Sequence, residues 1–337
     1  MFQTIKQKSL PILGALAGTV AISALSMPLA QSQGVPTVKI DGSSTVFPIT
    51  EAIAESFQKS TSGKVRVTVG VSGTGGGFKK FCRGETDISN ASRPILAKEI
   101  ADCKAAGINF IELPVVYDAL TVVINPKNTW ATNLTTAELK KIWEPGSKVN
   151  NWSQVRTGFP NVPLKLFSPG ADSGTFDYFT EAINGKSKQI RKDFTGSEDD
   201  NVLVQGVSRD RGGLGYFGLS YYLENKSKVK AVGVNSGKGP VMPSAKAVLD
   251  GTYTPLSRPL FIYVSSKAAS RPEVKQFVTY YMNNAAPAAK KVGMVALPAS
   301  AYKTILANFN KGRVGTVFGG EEAVGLTITQ LLKLEAK

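Results

Sequence analysis

No histidine occurs anywhere in this sequence. A serine or cysteine nucleophile activated by an imidazole is therefore excluded, as is a histidine-built metal centre. Cysteine is almost as scarce, with Cys82 and Cys103 the only two. Two thiols, no imidazole and no dense carboxylate cluster make a poor metal site, so neither metal nor other cofactor is expected. Acids are few beside bases: 25 Asp and Glu face 40 Lys and Arg, a formal charge of +15. That excess attracts anionic ligands and surfaces over long range. It does not indicate nucleic acid, because Lys79-Lys80, Lys140-Lys141 and Lys290-Lys291 are scattered and no stacking aromatics alternate with them. Beyond the first 30 residues there is no apolar run long enough to span a bilayer, and there is no internal repeat or low-complexity linker.

What remains is an ordinary soluble composition, 42% apolar and 19% charged, over 337 residues. That length exceeds one simple core and calls for two α/β lobes. The N-terminus differs. Lys6 and Lys8 precede an apolar run from Leu10 to Leu25, and small residues follow at Ala24, Ser26 and Ala30. Residues 1–30 thus read as a secretory signal peptide, cleaved after Ser26 or Ala30; an uncleaved anchor is the alternative. Loss of Lys6 and Lys8 would leave about +13 of the +15. In an exported chain the pair Cys82 and Cys103 is expected to form a disulfide, worth about 3 kcal/mol for a loop of this size.

Along the mature chain, β-type runs alternate with helical spacing. Strands are expected at 37–40, 64–71, 87–91, 109–113, 115–124, 164–167, 229–234 and 260–264. Helices are expected at 46–58, 78–82, 97–106, 135–143, 176–183, 219–223, 272–282, 301–309 and 327–334, with one more behind the acidic group at 198–200. This alternation implies mainly parallel sheets. The runs 115–124 and 260–264 are candidates to cross between lobes. The first lobe is then 35–115 plus 262–337, and the second 116–261. Trp130, Trp143 and Trp152 are expected to pack the second.

Three junctions carry the chemistry: Gly42-Ser43-Ser44-Thr45, Ser72-Gly73-Thr74-Gly75-Gly76-Gly77 and Asp172-Ser173-Gly174-Thr175. Each sets short hydroxyls beside the unpaired N–H groups that open a helix, where the dipole favours an anion. Each has a plainer reading. Ser44, Thr45 and Asp172 suit helix caps, Gly73 to Gly77 suits a flexible connection, and Arg93 suits a surface ion pair. Gly73 to Gly77 lacks the Gly-Lys-Ser/Thr ending of a phosphate-binding P-loop, and the flanks of Ser173 break the G-x-S-x-G elbow. Ligands of open α/β sheets bind beyond the carboxyl ends of strands, which places the three junctions at one cleft.

These stretches, with Asp87-Ile88-Ser89-Asn90-Ala91-Ser92-Arg93-Pro94, Asp200-Asn201-Val202-Leu203-Val204 and Leu214-Gly215-Tyr216-Phe217-Gly218, resemble the phosphate-binding proteins of bacterial phosphate ABC importers. Gly315-Thr316-Val317-Phe318-Gly319-Gly320 is similar to cyanobacterial members. The resemblance covers the mature chain in family order. It implies a two-lobed periplasmic binding fold of type II with two crossover strands at the hinge. It also implies a non-catalytic, monomeric protein that captures inorganic phosphate and delivers it to a membrane permease.

Carried over by position, the phosphate contacts would be Ser44, Thr45, Val46, Ser72, Thr74, Ser92, Ser173, Gly174 and Thr175. This chain departs from the family where an aspartate is usual, at Ser92, and where an arginine is usual, at Pro169. Arg93 is then the candidate guanidinium clamp. Asp172 is the first candidate to accept the phosphate proton, and Asp200 the second. A buried acceptor would discriminate against sulfate, which has no proton to give. The alternatives are another oxyanion or a phosphorylated solute, or, in a different class, an extracytoplasmic phosphatase.

Overall fold

The computed structural model describes residues 1–3 and 34–336. Residues 4–33, with the body of the expected signal peptide and its cleavage point, lie outside the described residues. Among the described residues no helix is long and apolar enough to cross a membrane. Val35–Lys337 forms one compact unit.

The chain runs β1 (Thr37–Gly42), α1 (Phe47–Ser60), β2 (Arg66–Val69), α2 (Gly73–Cys82), β3 (Ile88–Ala91), α3 (Ala97–Ala105) and β4 (Phe110–Ile124). It continues with β5 (Asn133–Thr135), α4 (Thr136–Trp143), β6 (Lys165–Pro169), α5 (Gly174–Phe179), β7 (Thr195–Ser197), α6 (Asp200–Arg209), β8 (Gly213–Gly218) and α7 (Leu219–Glu224). Three short strands, β9 (Lys230–Ala231), β10 (Gly233–Asn235) and β11 (Pro240–Val241), precede α8 (Ala245–Leu249) and β12 (Ser257–Ser265). Then come α9 (Ser266–Ala269), α10 (Pro272–Lys291), β13 (Val295–Ala296), α11 (Ala299–Asn310) and α12 (Ile328–Glu335).

The strand order is β2-β1-β3-β12-β4-β8-β6-β7, with β13 and β9 also on β4. On the outer sides, β1 pairs parallel with β2 and β3, and β6 pairs parallel with β7 and β8. The centre is antiparallel: β12 lies against both β3 and β4, and β4 against β8. The long strand β4 serves both sides. Its first half pairs with β12 and its second half with β8, and every one of its 15 residues is buried.

Two expected strands, 109–113 and 115–124, are thus one. Pro114 does not end it, because the β4–β12 register shifts there. Phe261 stands opposite Pro114 and Leu260 opposite Val116, leaving Val115 as the extra residue of a bulge. A bulge is where a strand tolerates proline.

A second departure concerns the glycine-rich junction. Helix α2 begins at Gly73 and not at Phe78, so the glycines form its first turns. Packing overrides their poor helix propensity. A Cβ on Gly77 would lie 2.6 Å from the Gly42 Cα, so the helix can seat its backbone directly on β1 only with glycine there. Helix α10 likewise runs past its expected end at Met282, because Ala285 and Ala289 continue the buried stripe of Val278, Tyr281 and Met282. Cys82 and Cys103 form the expected disulfide, joining α2 to α3 in a small core with Phe78, Phe81, Phe261 and Tyr263. Trp143 and Trp152 are fully buried, with Trp130 edge-on to Trp152.

Candidate functional site

The end of β1 supplies the first corner. Gly42 has φ +137° and approaches the Asn90 carbonyl so closely that a Cβ would sit 2.2 Å from it. Only glycine serves there. The chain then turns through Ser43, Ser44 and Thr45, all buried, into α1, which starts at the Val46 N-cap without a side-chain cap. The plain capping role for these hydroxyls therefore does not apply. Thr45 instead points across to Thr175, Oγ1 to Oγ1 2.8 Å, and the Ser44 carbonyl accepts from the Tyr221 hydroxyl.

At the second corner Thr74 is fully buried in the first turn of α2. Its Oγ1 accepts the Ser92 N–H at 3.1 Å and lies 3.1 Å from the Ser92 hydroxyl. Ser92 closes β3 and is also fully buried. The third corner is Ser173-Gly174-Thr175 at the start of α5. Ser173 is the N-cap and accepts from the Thr175 N–H. A Cβ on Gly174 would lie 2.5 Å from Thr74 Oγ1 and 2.6 Å from Ser92 Oγ, so glycine lets this corner meet the second. Four hydroxyls, in the pairs Thr45–Thr175 and Thr74–Ser92, meet around Gly174, with Ser173 capping α5 next to it.

The charge comes from the two central strands. Arg258 on β12 and Asp118 on β4 stand directly opposite each other in the ladder, and both are fully buried. Arg258 Nη2 donates to Thr175 Oγ1 at 2.7 Å, and Nη1 donates to the Gly174 carbonyl at 3.1 Å. Nη2 also lies 3.4 Å from Asp118 Oδ2, while Nε has no hydrogen-bond partner. Asp118 Oδ1 accepts the Leu219 N–H. Burial pushes the Asp118 carboxyl up, against the pull of Arg258.

Asp200, the first residue of α6, is buried beside this pair, and neither carboxylate oxygen has a partner. Burial above all, then the Asp118 charge, pushes it up to about 8, with Arg258 opposing. A carboxyl that holds its proton at neutral pH donates a hydrogen bond. Once ionised it accepts one.

Three residues expected in the site point elsewhere. Ser72 Oγ donates to Asp41 Oδ1. The Arg93 guanidinium, immediately after Ser92, is committed to Asp177 and Glu99, each at 2.8 Å. It does not join the hydroxyl cluster; the guanidinium that does is that of Arg258. Asp172 is partly exposed and pairs with Lys79 at 2.8 Å, while its carbonyl accepts from the Gly75 N–H at 2.7 Å. It ties α2 to the third corner from outside, and the buried carboxyls here are those of Asp200 and Asp118. Val46 is buried at its N-cap position.

Arg258 and Asp118 were legible in retrospect. Each is the one ionic side chain in an otherwise apolar run, Pro259 to Val264 following the arginine and Val115 to Ile124 enclosing the aspartate. Such a residue is rarely buried without a partner.

Comparison with known proteins agrees with this architecture. Residues 28–285 match the PBP superfamily domain. Protein SphX of Synechococcus elongatus is 57% identical over 301 residues, 88% of either chain. The phosphate-binding protein PstS of Staphylococcus saprophyticus is 39% identical over 272 residues, covering 80% of this chain and 83% of its own. Among solved structures, one described as a possible phosphate binding protein from Planctomyces limnophilus is 48% identical, with a TM-score of 0.61 over 83% of this chain and all of its own. A substrate-binding protein of a Clostridium perfringens ABC transporter, solved with bound phosphate, is 25% identical, with a TM-score of 0.67 over 78% of this chain and all of its own. Fold and site define a solute-binding protein of the two-lobed periplasmic class. The chain belongs to the PBP superfamily, in the branch that holds SphX and the phosphate-binding protein PstS.

Proposed function

We propose that this protein captures inorganic phosphate in the periplasm and hands it to a membrane ABC permease, with no catalytic step. The observation that carries the reading is the buried meeting of the Thr45–Thr175 and Thr74–Ser92 hydroxyls with the Arg258 guanidinium and the Asp118 and Asp200 carboxyls. Hydroxyls and a guanidinium fork suit a tetrahedral oxyanion. The carboxyls suit one that carries protons.

Asp200 supplies the selectivity. While it holds its proton it donates to any oxyanion. When ionised it must accept, and monohydrogen phosphate has a proton to offer where sulfate has none. The moving bodies are residues 35–115 plus 262–337 and residues 116–261, with β4 and β12 as the hinge. Contacts of Thr45 with Thr175 and of Gly75 with Asp172 are those that closure would form.

Titration calorimetry of the mature protein with phosphate, arsenate and sulfate tests the reading. Tight phosphate, tolerated arsenate and weak sulfate are expected. Equal phosphate and sulfate binding at pH 8.5 would overturn the selectivity argument. Metal-dependent release from a chromogenic phosphate ester would overturn the non-catalytic reading.

A further inference from the structure

Behind the site lies a second ionic cluster that anion contact does not use. Arg93 follows Ser92 directly, and Asp177 lies two residues after Thr175. Their side chains, both essentially unexposed, meet at 2.8 Å. The pair therefore joins the backs of two corners whose fronts carry hydroxyls. Glu99 of α3 takes the other edge of the Arg93 guanidinium through two bonds of 2.8 Å.

A third carboxylate arrives from the C-terminal segment. Glu322 Oε1 is 3.8 Å from Arg93 Nε, only 6% of its side chain is exposed, and its Oε2 has no partner. That segment is tied across the molecule. Gly315 bridges Ile111 of β4, the Gly320 carbonyl accepts from Ala97 of α3, and the Gly325 N–H donates to Tyr178 of α5.

We propose that Arg93 and Asp177 form a clasp that holds the two hydroxyl corners together and that Glu322, facing it from the C-terminal segment, weakens the clasp when ionised, which makes Glu322 a positioning residue for anion capture. The inference rests on the phosphate-binding reading. It assigns a task to the C-terminal segment, which none of the anion contacts requires.

Charge balance gives the clasp a pH signature. Glu322 faces Arg93, Asp177, Glu181 and Arg258, with Ser187 donating to Oε1 at 3.5 Å. Arg93 is already matched by Glu99. Asp177 has Arg93 on one oxygen and the Lys188 ammonium 3.6 Å from the other. Two cations and two carboxylates balance, and an ionised Glu322 would be surplus. Burial first, then Asp177 and Glu181, push Glu322 up to about 8, with Arg93 and Arg258 opposing. Opening would draw Asp177 away and hydrate Glu322, lowering its pKa. A pKa higher in the closed form means closure takes up a proton. Closure is then favoured at low pH, and the advantage is lost as pH rises through the closed-form value near 8.

The test is phosphate titration of the wild type and Glu322→Gln from pH 6 to 9 at fixed ionic strength. Gln keeps the shape and cannot ionise, and phosphate's own titration cancels in the ratio of the two Kd values. Glu322→Gln should bind more tightly, with an advantage that grows by at least about threefold per pH unit between pH 6 and 8. In a background of Asp177→Asn, which removes the repelling charge but not the burial, that pH dependence should weaken. A ratio constant within twofold across the range would overturn the clasp while leaving phosphate capture intact. A wild type that does not bind phosphate would overturn both.

Discussion

Replacing Asp200 by asparagine should abolish the pH dependence of sulfate rejection. In the wild type the carboxyl is buried and unpartnered, and burial with the nearby Asp118 charge pushes it up to about 8. Below that pH it is protonated and donates to either anion. Above it, sulfate must either face a buried negative charge or bind the fraction that keeps the proton, and that fraction falls tenfold, about 1.4 kcal/mol, for each pH unit. Between pH 7 and 9 the sulfate Kd of the wild type should therefore rise about tenfold. Phosphate should escape this penalty, because monohydrogen phosphate supplies the missing proton. Asp200→Asn cannot ionise, so its sulfate Kd should stay level over the same range. Titration calorimetry at pH 6.5, 8 and 9 in buffers free of both anions reads this directly. Asp172→Asn is the control: that carboxylate is partly exposed on Lys79, and the sulfate slope should persist. A flat sulfate Kd in the wild type, or an undiminished slope in Asp200→Asn, would remove Asp200 from anion selection.

Arg258→Gln should weaken phosphate at least about 30-fold, since it removes the guanidinium on Thr175 and leaves Asp118 buried without its cation; fluorescence or calorimetric titration checks it. Gly174→Ala places a methyl 2.5 Å from Thr74 Oγ1, so phosphate affinity should fall at least about tenfold while circular dichroism stays native. Opening the Cys82–Cys103 disulfide by a double serine substitution should cost about 3 kcal/mol in denaturant unfolding for a separation of 21 residues, with phosphate affinity nearly unchanged.

Most elements were legible because their signals are local. The alternation Val65, Val67, Val69 marked β2, and threonines 135 and 136 with Glu138 in the first turn marked the start of α4, where Thr135 proves to be the cap. The three hydroxyl junctions were legible for the same reason. The partners of charges were not. Arg258 and Asp118 are 140 residues apart, and only the β4–β12 register brings them face to face. Arg93 read as a clamp because it adjoins Ser92, yet successive residues at a strand end point to opposite sides, and its guanidinium lies behind the corner among Asp177, Glu99 and Glu322. Asp172 read as a buried acceptor from its place in the third junction, and Lys79 from α2 holds it outside. The glycine run read as a loop on propensity, although Gly77 is a helix residue packed on Gly42.

The most direct test of the central claim is a crystal structure of the mature protein with phosphate bound. Its oxygens should lie within hydrogen-bond distance of Thr45, Ser92, Thr175 and Arg258, with Asp200 or Asp118 on the protonated oxygen. Phosphate seated instead on Arg93 or Lys79, with the Thr45–Thr175 contact undisturbed, would contradict the account.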